Sequence, residues 1–191
     1  MGKNSKAKMF NRKASRKQSR SEDILKILNI QPGQTIADIG SGGGFFTFLF
    51  SHIVGEKGTV YAIDINEDFL NYINSQAAEN GLTNIKTVLV TEESILIPHH
   101  SVDLVFVRNV YHHIQNRIQY FTQVKHLLSP FARVSIIEYS RQGSVLSFHR
   151  RCGHNVPQEI IVEEMNKTGY SVSASFDFLQ VQSFTIFTPV G

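Results

Sequence analysis

One stretch restricts the architecture of this chain more than any other: Thr35-Ile36-Ala37-Asp38-Ile39-Gly40-Ser41-Gly42-Gly43-Gly44-Phe45. A short apolar run ends in an acid and alternating glycines, and a longer apolar run follows. Glycine adopts backbone conformations closed to other residues and lets a ligand approach the main chain. The segment reads as strand, tight turn and helix. The alternation continues downstream. Strands are expected at Thr59–Ile63, Ile85–Val90, Val102–Val107 and Arg133–Glu138. Helices are expected at Gly44–Val54, Glu67–Asn80 and Ile114–Leu128, the last stopped by Ser129-Pro130. The strands are apolar without strict alternation, as when both faces of a sheet are covered. Such a succession predicts an open, mostly parallel α/β sheet. Before it, Ser21 caps a short amphipathic helix carrying Ile24, Leu25, Ile27 and Leu28. After it, Asn155 caps a helix running to about Lys167, and Tyr170–Leu179 with Val181–Thr188 form an antiparallel hairpin or one bent pair.

Composition narrows the class. The chain has 191 residues, which suits one domain. Its single cysteine, Cys152, excludes an intrachain disulfide framework and cysteine-rich zinc sites. No apolar run approaches the roughly 18 residues of a membrane span, and no secretory signal is visible. A cytoplasmic protein is expected. The net charge of +3 is unevenly placed. Residues 1–20 hold eight basic residues and no acid, whereas residues 21–191 hold eleven basic and sixteen acidic residues, a net of −5. This divides the chain into a basic arm, too polar to fold alone, and one domain over 21–191.

The glycine turn does not fit a phosphate cradle. Starting from Gly40 or Gly42, the third position of Gly-x-Gly-x-x-Gly is Phe45 or Thr47, and no Gly-Lys-Ser/Thr follows. Asp64 stands at the end of the second strand, where a carboxylate can accept two hydrogen bonds from a ribose diol. The pattern selects a nucleoside that need not carry pyrophosphate.

Asp38-x-Gly40-x-Gly42-x-Gly44 with Asp64 resembles class I S-adenosylmethionine-dependent methyltransferases. The likeness covers roughly residues 21–188. Val102–Val107 resembles the family's fourth strand, Asn109-Val110-Tyr111-His112-His113 the segment after it in small-molecule members, and Arg133–Glu138 the fifth strand. The broad group of ubiquinone/menaquinone C-methyltransferases and arsenite methyltransferases is the most similar, although a single cysteine disfavours the arsenite branch. The resemblance implies a three-layer Rossmann-like fold with seven strands in the order 3-2-1-4-5-7-6, the last antiparallel. It implies S-adenosylmethionine as cofactor, no metal, a small-molecule acceptor and in-line methyl transfer. It assigns the cofactor to Asp38, Gly40, Ser41, Gly42, Gly44, Asp64, Ile65 and Asn109, with Glu92 or Glu93 beside the adenine. It offers Tyr111, His112 and His113 as catalytic candidates.

Alternatives stand beside these assignments. Asp38 either contacts cofactor or orients the loop. Ile65 packs on adenine or in the core. His112 and His113 either supply a general base or fill the cleft wall. His149, Cys152 and His154 lack the spacing of a closed zinc site. The basic arm either contacts nucleic acid, which would make this an RNA-directed enzyme, or is a solvated or cofactor-covering segment. A nucleoside-binding regulator without turnover is the third reading.

Overall fold

The computed structural model describes residues 4–90, 97–140 and 155–190. Its seven-stranded sheet has the order β3-β2-β1-β4-β5-β7-β6, as the resemblance implies. The chain divides into two compact units, Met1–Pro98 and His99–Gly191.

The first unit holds β1 (Thr35–Ile39), β2 (Thr59–Asp64) and β3 (Ile85–Leu89), with β2 parallel to both of its partners. Four of the five residues of β1 and five of the six of β2 are buried, which explains their unbroken apolar sequence. Helices α1 (Ser5–Ala14), α2 (Ser21–Leu28), α3 (Phe45–Val54) and α4 (Glu67–Glu79) complete the unit. The phenylalanines of α3 leave helix and strand equally open by propensity. Spacing settles the matter, because Phe46, Phe50 and Val54 recur every four residues and are all buried. Ser21 is the first residue of α2 and not its cap. Arg20 stands at the cap in a left-handed conformation and reaches Asp23 with its guanidinium at 2.5 Å. The basic arm contains α1, whose Ala7 is fully buried.

The second unit holds β4 (Val102–Arg108), β5 (Leu128–Tyr139), β6 (Tyr170–Phe176) and β7 (Gln182–Pro189). β4 and β5 are parallel, and β7 runs antiparallel to both β5 and β6. The helix expected over Ile114–Leu128 is shorter. A 3-10 turn covers Tyr111–His113, and α5 spans Arg117–Lys125 after Asn116, whose φ of 47° starts the helix abruptly. Leu128, Ser129 and Pro130 do not end a helix but extend β5, with a register shift opposite Val102 and Leu104. Such irregular pairing is where a strand tolerates proline. The last helix, α6, spans Gln158–Lys167 with Pro157 at its cap, so Asn155 lies outside it.

Candidate functional site

In the first unit the glycine turn is bound to the ends of two strands. Gly40, Gly42 and Gly44 have φ of 72°, 53° and 82°, a region that side-chain-bearing residues rarely enter. The amides of Gly40 and Ser41 donate to the Ile63 carbonyl at 2.8 and 3.1 Å. Asp64 follows Ile63, and each of its carboxylate oxygens accepts one backbone N–H at 2.9 Å, from Gly42 and from Asn66. An ionised carboxylate has about four acceptor positions, so capacity remains for a ligand. Burial pushes the Asp64 carboxyl up, opposed by the backbone donors Gly42, Asn66 and Ile65. Ile65 is 81% exposed, so it is not a core residue, and it offers apolar surface beside the acid. The hydroxyl of Ser41 is buried without a hydrogen-bond partner among the described residues. Spare acceptors, an exposed apolar side chain and an unmatched buried hydroxyl fit a nucleoside ligand. Glu92 and Glu93 lie outside the described residues.

Asp38 has a partner within the fold. Its Oδ2 accepts from the Thr47 hydroxyl at 2.6 Å, joining β1 to the buried face of α3. Burial raises its carboxyl from 3.8 to about 7, with the Thr47 bond opposing. A carboxyl whose folded value is raised binds more protons folded than unfolded, so the stability it contributes falls as pH rises from 3.8 to about 7 and stays lost above. Asp38→Asn is therefore expected to gain stability over wild type at pH 8 and far less at pH 4. Calorimetric melting at both values checks this, at roughly 2–4 °C per kcal/mol. An equal effect at the two pH values would contradict it.

In the second unit the chain leaves β4 through Asn109, whose φ is 57° and whose amide donates to Ile137 at 2.9 Å. Its side-chain oxygen accepts from Gln182 of β7, and Gln182 accepts from Arg108 at 3.3 Å. Burial lowers Arg108 to about 10.

Tyr111 and His112 then diverge. Tyr111 is fully buried and donates to Glu164 at 2.7 Å, while Arg117 donates to the same carboxylate at 2.7 and 2.8 Å. Phe121 stacks on the phenol ring at 5.4 Å. Burial first, and Glu164 second, push its hydroxyl pKa far up. The Tyr111 hydroxyl is thus committed to a packing network. Tyr111→Phe is expected to cost about 1.5–3 kcal/mol, the worth of a bond to a charged acceptor, as a lower urea midpoint.

His112 meets Glu138, a fully buried acid at the end of β5. Nδ1 lies 2.9 Å from Glu138 Oε2, which also accepts the His112 amide at 3.2 Å, and Oε1 accepts the Tyr139 amide at 2.7 Å. Two fixed backbone donors hold the Glu138 carboxyl in place, and through Nδ1 it orients the His112 ring. His113 is exposed, with its ring 4.0 Å from that of His112. Glu138 was not among the sequence candidates. The available signal was an acid closing the apolar run Val134–Ile137, at the carboxyl end of a strand, where open α/β sheets bind ligands.

Among the described residues, no group of three or more His, Cys, Asp or Glu could hold a metal. His149, Cys152 and His154 lie outside them. No described helix is long and apolar enough to cross a membrane.

Comparisons with known proteins extend these observations. A family model described as a methyltransferase domain matches residues 30–177. The ubiquinone/menaquinone biosynthesis C-methyltransferase UbiE of Vibrio vulnificus is 30% identical over 112 residues, covering 58% of this chain and 43% of that protein. The chain thus spans less than half the length of this curated relative. A SAM-dependent methyltransferase structure from Aquifex aeolicus superposes with a TM-score of 0.81 at 25% identity, covering 88% of this chain and 89% of that one. A 1,6-didemethyltoxoflavin N1-methyltransferase from Burkholderia thailandensis, solved with its substrate and S-adenosylhomocysteine, shares the fold at a TM-score of 0.69 and 15% identity, covering 91% and 78%.

Proposed function

The chain belongs to the methyltransferase-domain family, and we propose that it transfers the methyl group of S-adenosylmethionine to a small-molecule acceptor from which His112 removes a proton. The domain is residues 21–191, preceded by the arm 1–20, and its setting is the cytoplasm. Asp64 accepts from the ribose hydroxyls, Ile65 packs on the adenine, and the glycine turn gives the cofactor close access to backbone. When bound, the cofactor supplies an already activated methyl group.

The observation that carries the acceptor half is the His112–Glu138 pair. In this reading Glu138 accepts from Nδ1 and orients the ring, and Nε2 is the atom that takes the acceptor's proton. In such a transfer the pair of the acceptor's X–H bond would form the X–C bond to the methyl, the cofactor would leave as a neutral thioether, and His112 would take the proton. A base is useful only to an acceptor that must lose a proton, such as a phenol or a carbon acid beside a carbonyl. The likeness to a quinone-pathway C-methyltransferase supports that class. Incubating the protein with methyl-labelled cofactor and a fractionated extract tests the reading. Label is expected in the small-molecule fraction. Label in RNA would favour the arm as a nucleic-acid contact, and label nowhere would leave the nucleoside-binding regulator.

A further inference from the structure

The arm's helix is seated on the glycine turn. Asn11 Nδ2 donates to the Gly43 carbonyl at 2.7 Å. A methyl group placed on Gly43 would collide with the Ala7 carbonyl and the Asn11 side chain, so only glycine permits this approach. Phe10 packs edge-on against Phe69 of α4, with ring centroids 5.6 Å apart. Its ring edge would lie 3.9 Å from a Cβ at Gly42. The contact face consists of Ala7, Phe10 and Asn11, while Lys6, Lys8, Arg12 and Lys13 are exposed. The arm's cations are therefore not what holds it here.

Asn11 Oδ1 on α1 and Ser41 Oγ on the turn are both buried without a partner among the described residues. Buried polar atoms in folded proteins are nearly always hydrogen-bonded, and an exception points to an absent ligand or water. Asn11 reaches the turn at Gly43, and Ser41 lies within it beside Gly42, which donates to Asp64. A ligand whose ribose engages Asp64 and which also carries an ammonium group brings up to three donors to such oxygens.

We propose that α1 is part of the cofactor site, with Asn11 and Ser41 presenting their side-chain oxygens to the amino-acid end of S-adenosylmethionine. The inference rests on the cofactor reading above and adds to it a binding residue from outside the domain that carries the motif. It gives the arm a task that needs no nucleic acid. It also makes α1 a wall that must shift for the cofactor to enter or leave.

Calorimetry with two probes tests this: S-adenosylhomocysteine, which has the amino-acid end, and adenosine, which lacks it. Asn11→Ala is expected to weaken S-adenosylhomocysteine on the order of tenfold, equivalent to 1.4 kcal/mol, and to leave adenosine unchanged. Ser41→Ala removes one oxygen without touching α1 and should show the same selectivity. Hydrogen exchange across residues 4–14 should slow when S-adenosylhomocysteine is added. Equal losses for both probes, or none for either, would overturn the proposal, as would exchange in the arm indifferent to ligand. If wild type binds neither probe, it is the cofactor reading that fails.

Discussion

Changing His112 to asparagine is expected to slow methyl transfer by about 10²- to 10⁴-fold, the range supplied by a positioned general base, with S-adenosylhomocysteine affinity unchanged. Glu138→Gln should follow the same course for a different reason. The carboxylate faces donors on both oxygens: the His112 amide and Nδ1 on one, the Tyr139 amide on the other. A glutamine has one carbonyl oxygen, so its NH₂ must face a donor on one side. If it faces His112, the ring relieves the conflict by moving its proton to Nε2. Nδ1 then accepts, and the atom assigned as base is blocked. Nitrogen chemical shifts of labelled histidine distinguish the tautomers, with His112→Asn identifying the signal. Wild type should show the proton on Nδ1 and Glu138→Gln a shift toward Nε2, accompanied by lower kcat at similar KM. A wild-type ring protonated on Nε2 would remove the basis for this role. Loss of kcat without a tautomer change would reduce Glu138 to a packing residue.

Asp64→Ala carries the largest expected effect on binding. It removes the proposed ribose acceptor and strands the amides of Gly42 and Asn66, which the carboxylate holds. Hydrogen bonds to a charged group are each worth about 1.5–3 kcal/mol, so losing the ribose contacts should weaken S-adenosylhomocysteine by at least about 100-fold. Asp64→Asn retains an acceptor and shape, and should fall between wild type and alanine. Affinity unchanged in both variants would refute the ribose role. The pair also separates two effects: a melting temperature that drops equally in both would indicate loosening of the turn and not loss of the ligand contact.

The sequence made parts of this molecule legible because local and tertiary demands coincide there. Gly40, Gly42 and Gly44 are where the backbone turns left-handed, and Asp64 ends a strand whose burial its apolar run already announces. The unexpected parts arise where a distant partner decides. Leu128–Pro130 resembles a helix stop, yet pairing opposite Val102 draws it into β5. The arm is polar by composition, and the contact face of α1 offers one large apolar side chain, Phe10, beside Ala7 and Asn11, so little apolar surface marks it. Glu138 appears in the sequence as a single acid near the end of a strand. Its meaning emerges only when the fold brings it to His112, 26 positions earlier. Tyr111 and His112 are adjacent in sequence and equivalent as candidates, but one joins Glu164 and the other Glu138.

The start of α4 bears on the proposed ribose contact of Asp64. Asn66 accepts the Asp68 amide with its side chain while its own amide holds Asp64. The acid is thereby set by the helix cap behind it and by the glycine turn in front. Immobilising a flexible side chain at binding typically costs about 0.5–1.5 kcal/mol. Here that ordering is completed during folding. The carboxylate is preorganised, and a sugar reaching it meets a rigid template and not a side chain still searching among rotamers.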